Sequence, residues 1–289
     1  MLYCLFVATR AFFSLLPFKA GFAFAGFMGK ASFYNIAKER KKTIEHLKSA
    51  FGEEKSDREL TKLGARVFQN YGHVAAELTL LDKLLPRLDQ IITVSGIEHF
   101  DRALARGKGI SAVGAHFDNW ELMAGYLSFI GYPNTVMARH IYYDPYDKAL
   151  LDVRKKLKLK TIYRDSPTAA REAFKAFKEN QVVGFVADQD VDTIDGVFVD
   201  FFGQAAFSPA ALVKFAMKTG APLIAIFMIR EGMKHRLVIE PPIELTQTSD
   251  EKKDLVTNTQ KWVSLQEKYI RRYPELWVWN HRRWKTRQS

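Results

Sequence analysis

The stretch ISAVGAHFDNWELMAG (residues 110–125) sets both the fold and the functional question. It opens as a short apolar run. Further on, Met123, Tyr126, Leu127 and Ile130 recur at i, i+3, i+4 and i+7, one face of a helix. A strand therefore passes into a helix through a turn at His116–Phe117, with Asp118 or Asn119 as N-cap. Similar runs stand at 91–94 (IITV), 134–138 (NTVMA), 160–163 (KTIY), 182–187 (VVGFVA), 222–229 (PLIAIFMI) and 236–240 (RLVIE). Most of the gaps between them hold helical patterns, such as Ala169, Ala173, Ala176 and Phe177 after Pro167. Strands alternating with helices predict an α/β domain with a largely parallel central sheet flanked by helices. Helices are expected over 34–50 and 57–81 before the first strand, and a closing helix over 251–280. Ligands of open α/β sheets bind beyond the carboxyl ends of strands, where His116 falls.

A histidine at such a turn suits general-base work, because its unperturbed pKa lies near physiological pH. It needs a group to fix its tautomer and orientation, commonly a carboxylate. Glu121 follows about one helical turn later and could fold back onto the ring. A bland reading competes. With Asp118 as N-cap, Glu121 takes the third helical position, and D-x-x-E is a loose capping box whose acid also suits the helix dipole. A cap should tolerate Glu121→Gln with near-native melting, whereas a catalytic partner should lose turnover. Spacing does not decide between them.

At 289 residues the chain can bury a full core as one large domain or two small ones. A hydrophobic share of 47% against 26% charged excludes a disordered chain. The single cysteine, Cys4, excludes an internal disulfide and a multi-cysteine zinc site. The net charge of +11 is concentrated from Lys30 to Lys48 and over residues 261–289. Such clusters attract phosphates on nucleic acid, lipid headgroups or an acidic carrier protein, unless they are merely a solvated basic surface. Trp277, Trp279 and Trp284 among the C-terminal arginines raise the nucleic-acid option.

The N-terminus opposes that option. Residues 1–28 are apolar apart from Thr9, Arg10, Ser14 and Lys19, with Pro17 set to kink a helix. No uninterrupted run reaches the roughly 18–20 residues of a confident span, and no cleavage pattern follows a charged start. Residues 1–33 are read as a retained anchor lying in, or dipping through, one bilayer face, with 34–289 as the α/β domain. Basic residues from Lys30 onward would hold that domain against anionic cytoplasmic lipid. The alternative is a buried core helix.

Competing chemistries lack their motifs. There is no G-x-S-x-G elbow and no G-x-x-x-x-G-K-[ST] loop. DQDVDTIDG (188–196) alternates acids like a calcium loop, but its sixth position is Thr193 and its twelfth Val199. Asp188 and Gln189 are better placed to line a site or make buried hydrogen bonds. His140, His235 and His281 have no metal-ligand spacing, so no metal or other cofactor is expected.

Four blocks in order carry a resemblance: AHFDNWE (115–121), ADQD (187–190) with GVFVDFFG (196–203), TGAPLIAIF (219–227) and PELWVWNHRRWKTR (274–287). The chain resembles the lipid A late acyltransferases, lauroyl and myristoyl transferases with a His-x4-Asp/Glu motif, over almost its whole length. The resemblance implies transfer of a fatty acyl group from an acyl carrier protein or coenzyme A thioester to a hydroxyl of a membrane glycolipid, at the cytoplasmic face of the bacterial inner membrane. It implies His116 as the base and Glu121 as its partner. It makes Arg139, Arg154 and Arg164 candidates for binding phosphate or the oxyanion, and Asp188 and Gln189 candidates for the site lining. One departure is Asp118, where such sequences more often have glycine. The acceptor stays open between a lipid A precursor, another glycolipid and a lysophospholipid, and a non-catalytic lipid-binding module is the rival reading.

Overall fold

The computed structural model describes residues 13, 15–191 and 193–287. Residues 1–12 and 14 of the apolar segment read as an anchor, Cys4 among them, lie outside them. Three helices come first: α1 (Phe18–Asn35), α2 (Ala37–Phe51) and α3 (Asp57–Thr79). Helix α3 starts with a full capping box, in which Ser56 and Glu59 satisfy each other's backbone N–H. The boundary expected at residue 33/34 falls inside α1, which continues to Asn35 and packs along α3.

That crossing depends on glycine. A Cβ on Gly29 would sit 2.2 Å from the Phe68 carbonyl oxygen, and one on Gly72 would sit 2.0 Å from that of Ala25. The inward face of α1 is Gly21, Phe22, Ala25, Gly26 and Phe33, all buried. Its outward face carries Phe24, Phe27 and Met28, exposed at 42%, 65% and 49%. Among the described residues no helix is long and apolar enough to cross a membrane.

The expected strands all form: β1 (Ile92–Ser95), β2 (Ile110–Gly114), β3 (Asn134–Ala138), β4 (Lys160–Tyr163), β5 (Val182–Val186), then β8 (Leu223–Glu231) and β9 (Lys234–Ile239). They make one seven-stranded sheet in the order β1-β9-β8-β2-β5-β3-β4. Every neighbouring pair is parallel except the β8–β9 hairpin, which turns at Gly232 with φ +68°. Between β5 and β8 lies a hairpin the sequence did not suggest, β6 (Gly196–Phe201) and β7 (Gln204–Pro209). Its two-residue turn, Phe202–Gly203, has both φ positive, the mirror-image geometry that suits strand twist. Phenylalanine in place of Asn or Asp hides that signal.

Helices cover both faces of the sheet. Alternating strand residues feed two cores. Ile110, Ala112, Ile224 and Ile226 pack with α4 (Ile97–Leu104) and α5 (Trp120–Phe129). Val113, Phe185, Ala225 and Phe227 pack with α7 (Ala169–Lys178), α8 (Ala211–Thr219) and α9 (Glu251–Arg272). Helix α6 (Asp144–Lys156) joins β3 to β4. Helix α9 stops eight residues before the expected end, because Pro274 disfavours helical geometry at Tyr273. The following segment folds back under the sheet's carboxyl edge, burying Trp277, Trp279 and Arg283 to 1%, 0% and 0% exposure. Trp277 and Trp279 are core, and Trp284 is partly buried against it, so the three do not make an exposed stacking platform for nucleic acid. Arg283 donates to the Phe207 carbonyl (2.5 Å) and to Ser208 Oγ (2.6 Å), fastening the terminus to β7.

Candidate active site

Strands β2 and β5 are parallel neighbours in which Gly114 pairs with Val186. His116 and Asp188 each lie two residues beyond that pair, so equal overhangs bring them together. His116 Nδ1 is 2.6 Å from Asp188 Oδ1, and the His116 backbone N–H donates to Oδ2 at 2.9 Å. Trp277 Nε1 donates to the same oxygen at 2.7 Å. Burial alone would raise the Asp188 pKa, but the charge of His116 and these hydrogen bonds outweigh it and hold the carboxyl at about 2. An ionised Asp188 accepts only, so Nδ1 of His116 donates to it, and Nε2 is the nitrogen left for proton transfer.

The Asp188 side chain is 2% exposed and that of His116 is 19%. The carboxylate is sealed while the ring keeps one open side. Trp120 stands edge-on to the ring with centroids 4.9 Å apart. The Gln189 amide nitrogen lies over the His116 ring, 3.3 Å from Nδ1 and 3.2 Å from Nε2, and is 3.2 Å from Nε2 of His281. Burial, then the charge of His116, lowers the His281 pKa to about 4, so this second histidine is neutral at physiological pH.

Glu121 does not fold back onto His116. Its carboxylate takes a bidentate pair from Arg154 of α6, Nε to Oε2 at 2.8 Å and Nη2 to Oε1 at 2.7 Å, with both side chains under 10% exposed. The capping-box reading fails as well. Asn119, not Asp118, is the N-cap: its Oδ1 accepts the Leu122 N–H at 3.0 Å, which puts Glu121 at the second helical position. The motif glutamate therefore ties α5 to α6, and the carboxylate on the histidine comes from a strand end 72 residues downstream.

Arg139 and Arg164 follow the ends of β3 and β4, on the same edge of the sheet. Arg139 lies over the Tyr142 ring at 4.7 Å. Burial, then the charge of Arg139, lowers the Arg164 pKa, which marks two guanidinium groups near each other. Among the described residues neither is hydrogen-bonded to His116, Glu121 or Asp188. A 460 Å³ cleft is lined by Arg154, Lys155, Lys158, Lys160 and Tyr163, with His116 outside its lining.

The acids of the calcium-like stretch have other uses. Asp190 holds the Thr286 N–H and hydroxyl, and Asp195 pairs with Lys214 at 2.8 Å. Among the described residues no group of three or more His, Cys, Asp or Glu side chains is arranged to hold a metal ion.

A profile described as bacterial lipid A biosynthesis acyltransferase matches residues 1–286. The chain belongs to that family. It is 26% identical over 287 residues to the lipid A biosynthesis lauroyltransferase of Escherichia coli, covering 94% of this chain and 87% of that one. It is also 29% identical over 168 residues to a phosphatidylinositol mannoside acyltransferase of Mycobacterium tuberculosis. There the match spans 57% of this chain and about half, 52%, of the relative. A lipid A biosynthesis palmitoleoyltransferase of E. coli is 27% identical over 70% of this chain and 64% of its own length.

Sequence reasoning named His116, Asp188 and Gln189 for this family's site, and the three meet. It missed Trp120, Trp277 and His281. All three sit in quoted blocks, but no spacing rule joins the carboxyl ends of two strands to a C-terminal segment.

Proposed function

We propose that the protein transfers a fatty acyl chain from an acyl carrier protein or coenzyme A thioester to a hydroxyl of a lipid A precursor or related glycolipid. The carrying observation is the His116–Asp188 pair at the ends of adjacent strands, with the carboxylate sealed on Nδ1 and the ring partly exposed. Nε2 removes the hydroxyl proton as the oxygen attacks the thioester carbonyl. Asp188 steadies the imidazolium that forms. The tetrahedral intermediate then expels the thiolate, which takes the proton back from Nε2. The Gln189 amide, which lies against the face of the ring, is placed to turn toward the carbonyl oxygen. Arg139 and Arg164, on the same edge of the sheet as His116, supply positive charge for phosphate on either substrate. Glu121 acts through Arg154, fixing α5 and with it the wall of the site. The relatives' names, lipid A and phosphatidylinositol mannoside, share a glycolipid, which favours that acceptor over a lysophospholipid.

The reaction takes place at the cytoplasmic face of the bacterial inner membrane. The exposed Phe24, Phe27 and Met28 on α1, beside Lys30, Lys38 and Lys41, support binding to an anionic bilayer. Serine at all three apolar positions should abolish sedimentation with anionic vesicles and leave folding intact. Undiminished sedimentation would remove α1 as the contact.

The main test offers acyl carrier protein and coenzyme A thioesters with each acceptor class and follows products by mass. Wild-type protein should form an acylated glycolipid, and His116→Ala should not. Thioester binding with no transfer by wild type would favour the lipid-binding module.

A further inference from the structure

Behind the His116 turn lies a second group of charges with no open side. Asp118 Oδ1 faces the Arg230 guanidinium at 2.8 Å and Oδ2 faces His235 Nδ1 at 2.8 Å. Glu77 of α3 closes the ring, 2.6 Å from Arg230 Nη1 and 3.0 Å from His235 Nε2. Asn70 accepts from Arg230 Nε at 2.7 Å, and the Asn119 amide donates to Glu77 at 2.9 Å. His73 borders the group, stacked on Phe22 of α1 at 4.1 Å. Side-chain exposure is 0% for Asp118, 2% for Glu77, 1% for His235 and 7% for Arg230.

Asp118 occupies the left-handed region, with φ +48°. There a residue with a Cβ is disfavoured and glycine is not. The chain thus keeps a strained, buried, charged residue where glycine would rest easily, and its carboxylate is fully used. The backbone around it is pinned too. The Asp118 N–H donates to the Leu276 carbonyl at 2.7 Å, and the His116 carbonyl accepts from the Val278 N–H at 3.2 Å.

We propose that Asp118 is a positioning residue for His116: held by Arg230 and His235, it locks the 116–119 turn so that the imidazole stays against Asp188. Asp118 touches neither ring nor substrate and acts only through the backbone. The idea rests on His116 being the base, so its test needs a readout independent of transfer.

Asp118→Gly is the informative variant, because glycine accepts the backbone geometry and any loss belongs to the carboxylate. The His116 ring nitrogens, followed by ¹⁵N NMR, should report the Nδ1-protonated tautomer in wild type and a mixture or a shift in the variant. Turnover should fall roughly 10–100-fold with KM within about twofold, the pattern of a misplaced base rather than lost binding. Asp118→Asn keeps the left-handed preference and one acceptor, and should rescue part of both signals. Wild-type His116 resonances in Asp118→Gly would overturn the proposal, as would a purely structural loss that the asparagine variant repairs in melting without any change at His116. Should glycine fail to fold, unchanged His116 signals in Asp118→Asn alone would overturn it. A wild type that transfers nothing defeats the acyltransferase reading, while the NMR arm still decides the positioning.

Discussion

Two histidine–carboxylate units lie on either side of one turn and share a building plan. His116 leans on Asp188, and His235 is gripped by Asp118 and Glu77. The difference is what each ring has left over. His235 spends both nitrogens on carboxylates at 1% exposure, and the net effect raises its pKa to about 9 despite the burial that opposes it. His116 has one nitrogen on a carboxylate, and its side chain keeps 19% exposure. A carboxylate beside a histidine therefore marks no catalytic group by itself; a second nitrogen without a carboxylate, on a ring with access, does.

Exchanging the losses of the two histidines is the most severe way to break this comparison. His116→Ala should cost roughly 10²–10⁴-fold in turnover with modest loss of stability. His235→Ala leaves two buried carboxylates facing one guanidinium and should cost about 3–5 kcal/mol in urea unfolding. Turnover and unfolding measured on both proteins check it, and a reversed pattern would end the distinction. Glu121→Gln comes next. A mere cap would tolerate it, but here it leaves Arg154 buried against a neutral amide, so about 3 kcal/mol should be lost along with activity. Near-native melting would show that the Arg154 pair contributes little.

The pH dependence of stability separates the two units further. His235 has a folded pKa raised above the ordinary histidine value of 6.5. Its contribution is fully present below that value and is lost as pH rises through about 9, on the order of a few kcal/mol. Asp188 has a lowered pKa, so its contribution is present above about 4 and is lost as pH falls toward 2. Melting curves between pH 6 and 10 should show an alkaline decline that His235→Gln abolishes and His116→Gln leaves in place. The smallest expected effect is Asn119→Ala, which removes a helix cap worth about 1 kcal/mol and should leave His116 on Asp188. An effect several times larger would show that the Asn119–Glu77 bond carries the turn.

The sheet was legible because each strand is a short β-branched run bounded by polar or glycine residues. The β6–β7 hairpin was not, since Phe202 adopts φ +56° where a turn rule looks for Asn, Asp or Gly. At the site, one-dimensional spacing pointed His116 to the nearest acid, Glu121. The real partner depends on which strands are neighbours: with β5 beside β2, equal overhangs past Gly114 and Val186 bring Asp188 to the ring. The resemblance had marked Asp188 as site lining without revealing that pairing. Asp118 was visible only as an odd residue for its family, because its side-chain partners, Arg230 and His235, come from β8 and β9, 112 and 117 residues away in sequence.

The glycine crossing of α1 and α3 has a bearing on depth. Gly29 and Gly72 let the two backbones touch, and Phe22 of α1 covers both His73 and Arg230, with the Arg230 guanidinium 5.5 Å from its ring. The exposed apolar face of α1 and the turn bearing His116 are thus joined by a continuous chain of packed side chains through Phe22, Arg230 and Asp118. Were α1 to lie at a bilayer surface, as proposed above, the level at which it floats would fix how far above the headgroups the imidazole is carried. A side chain added at either glycine would wedge the helices apart and raise or tilt the site against the plane of its substrate. The choice among the hydroxyls of a glycolipid would then be governed by altitude as well as by pocket shape.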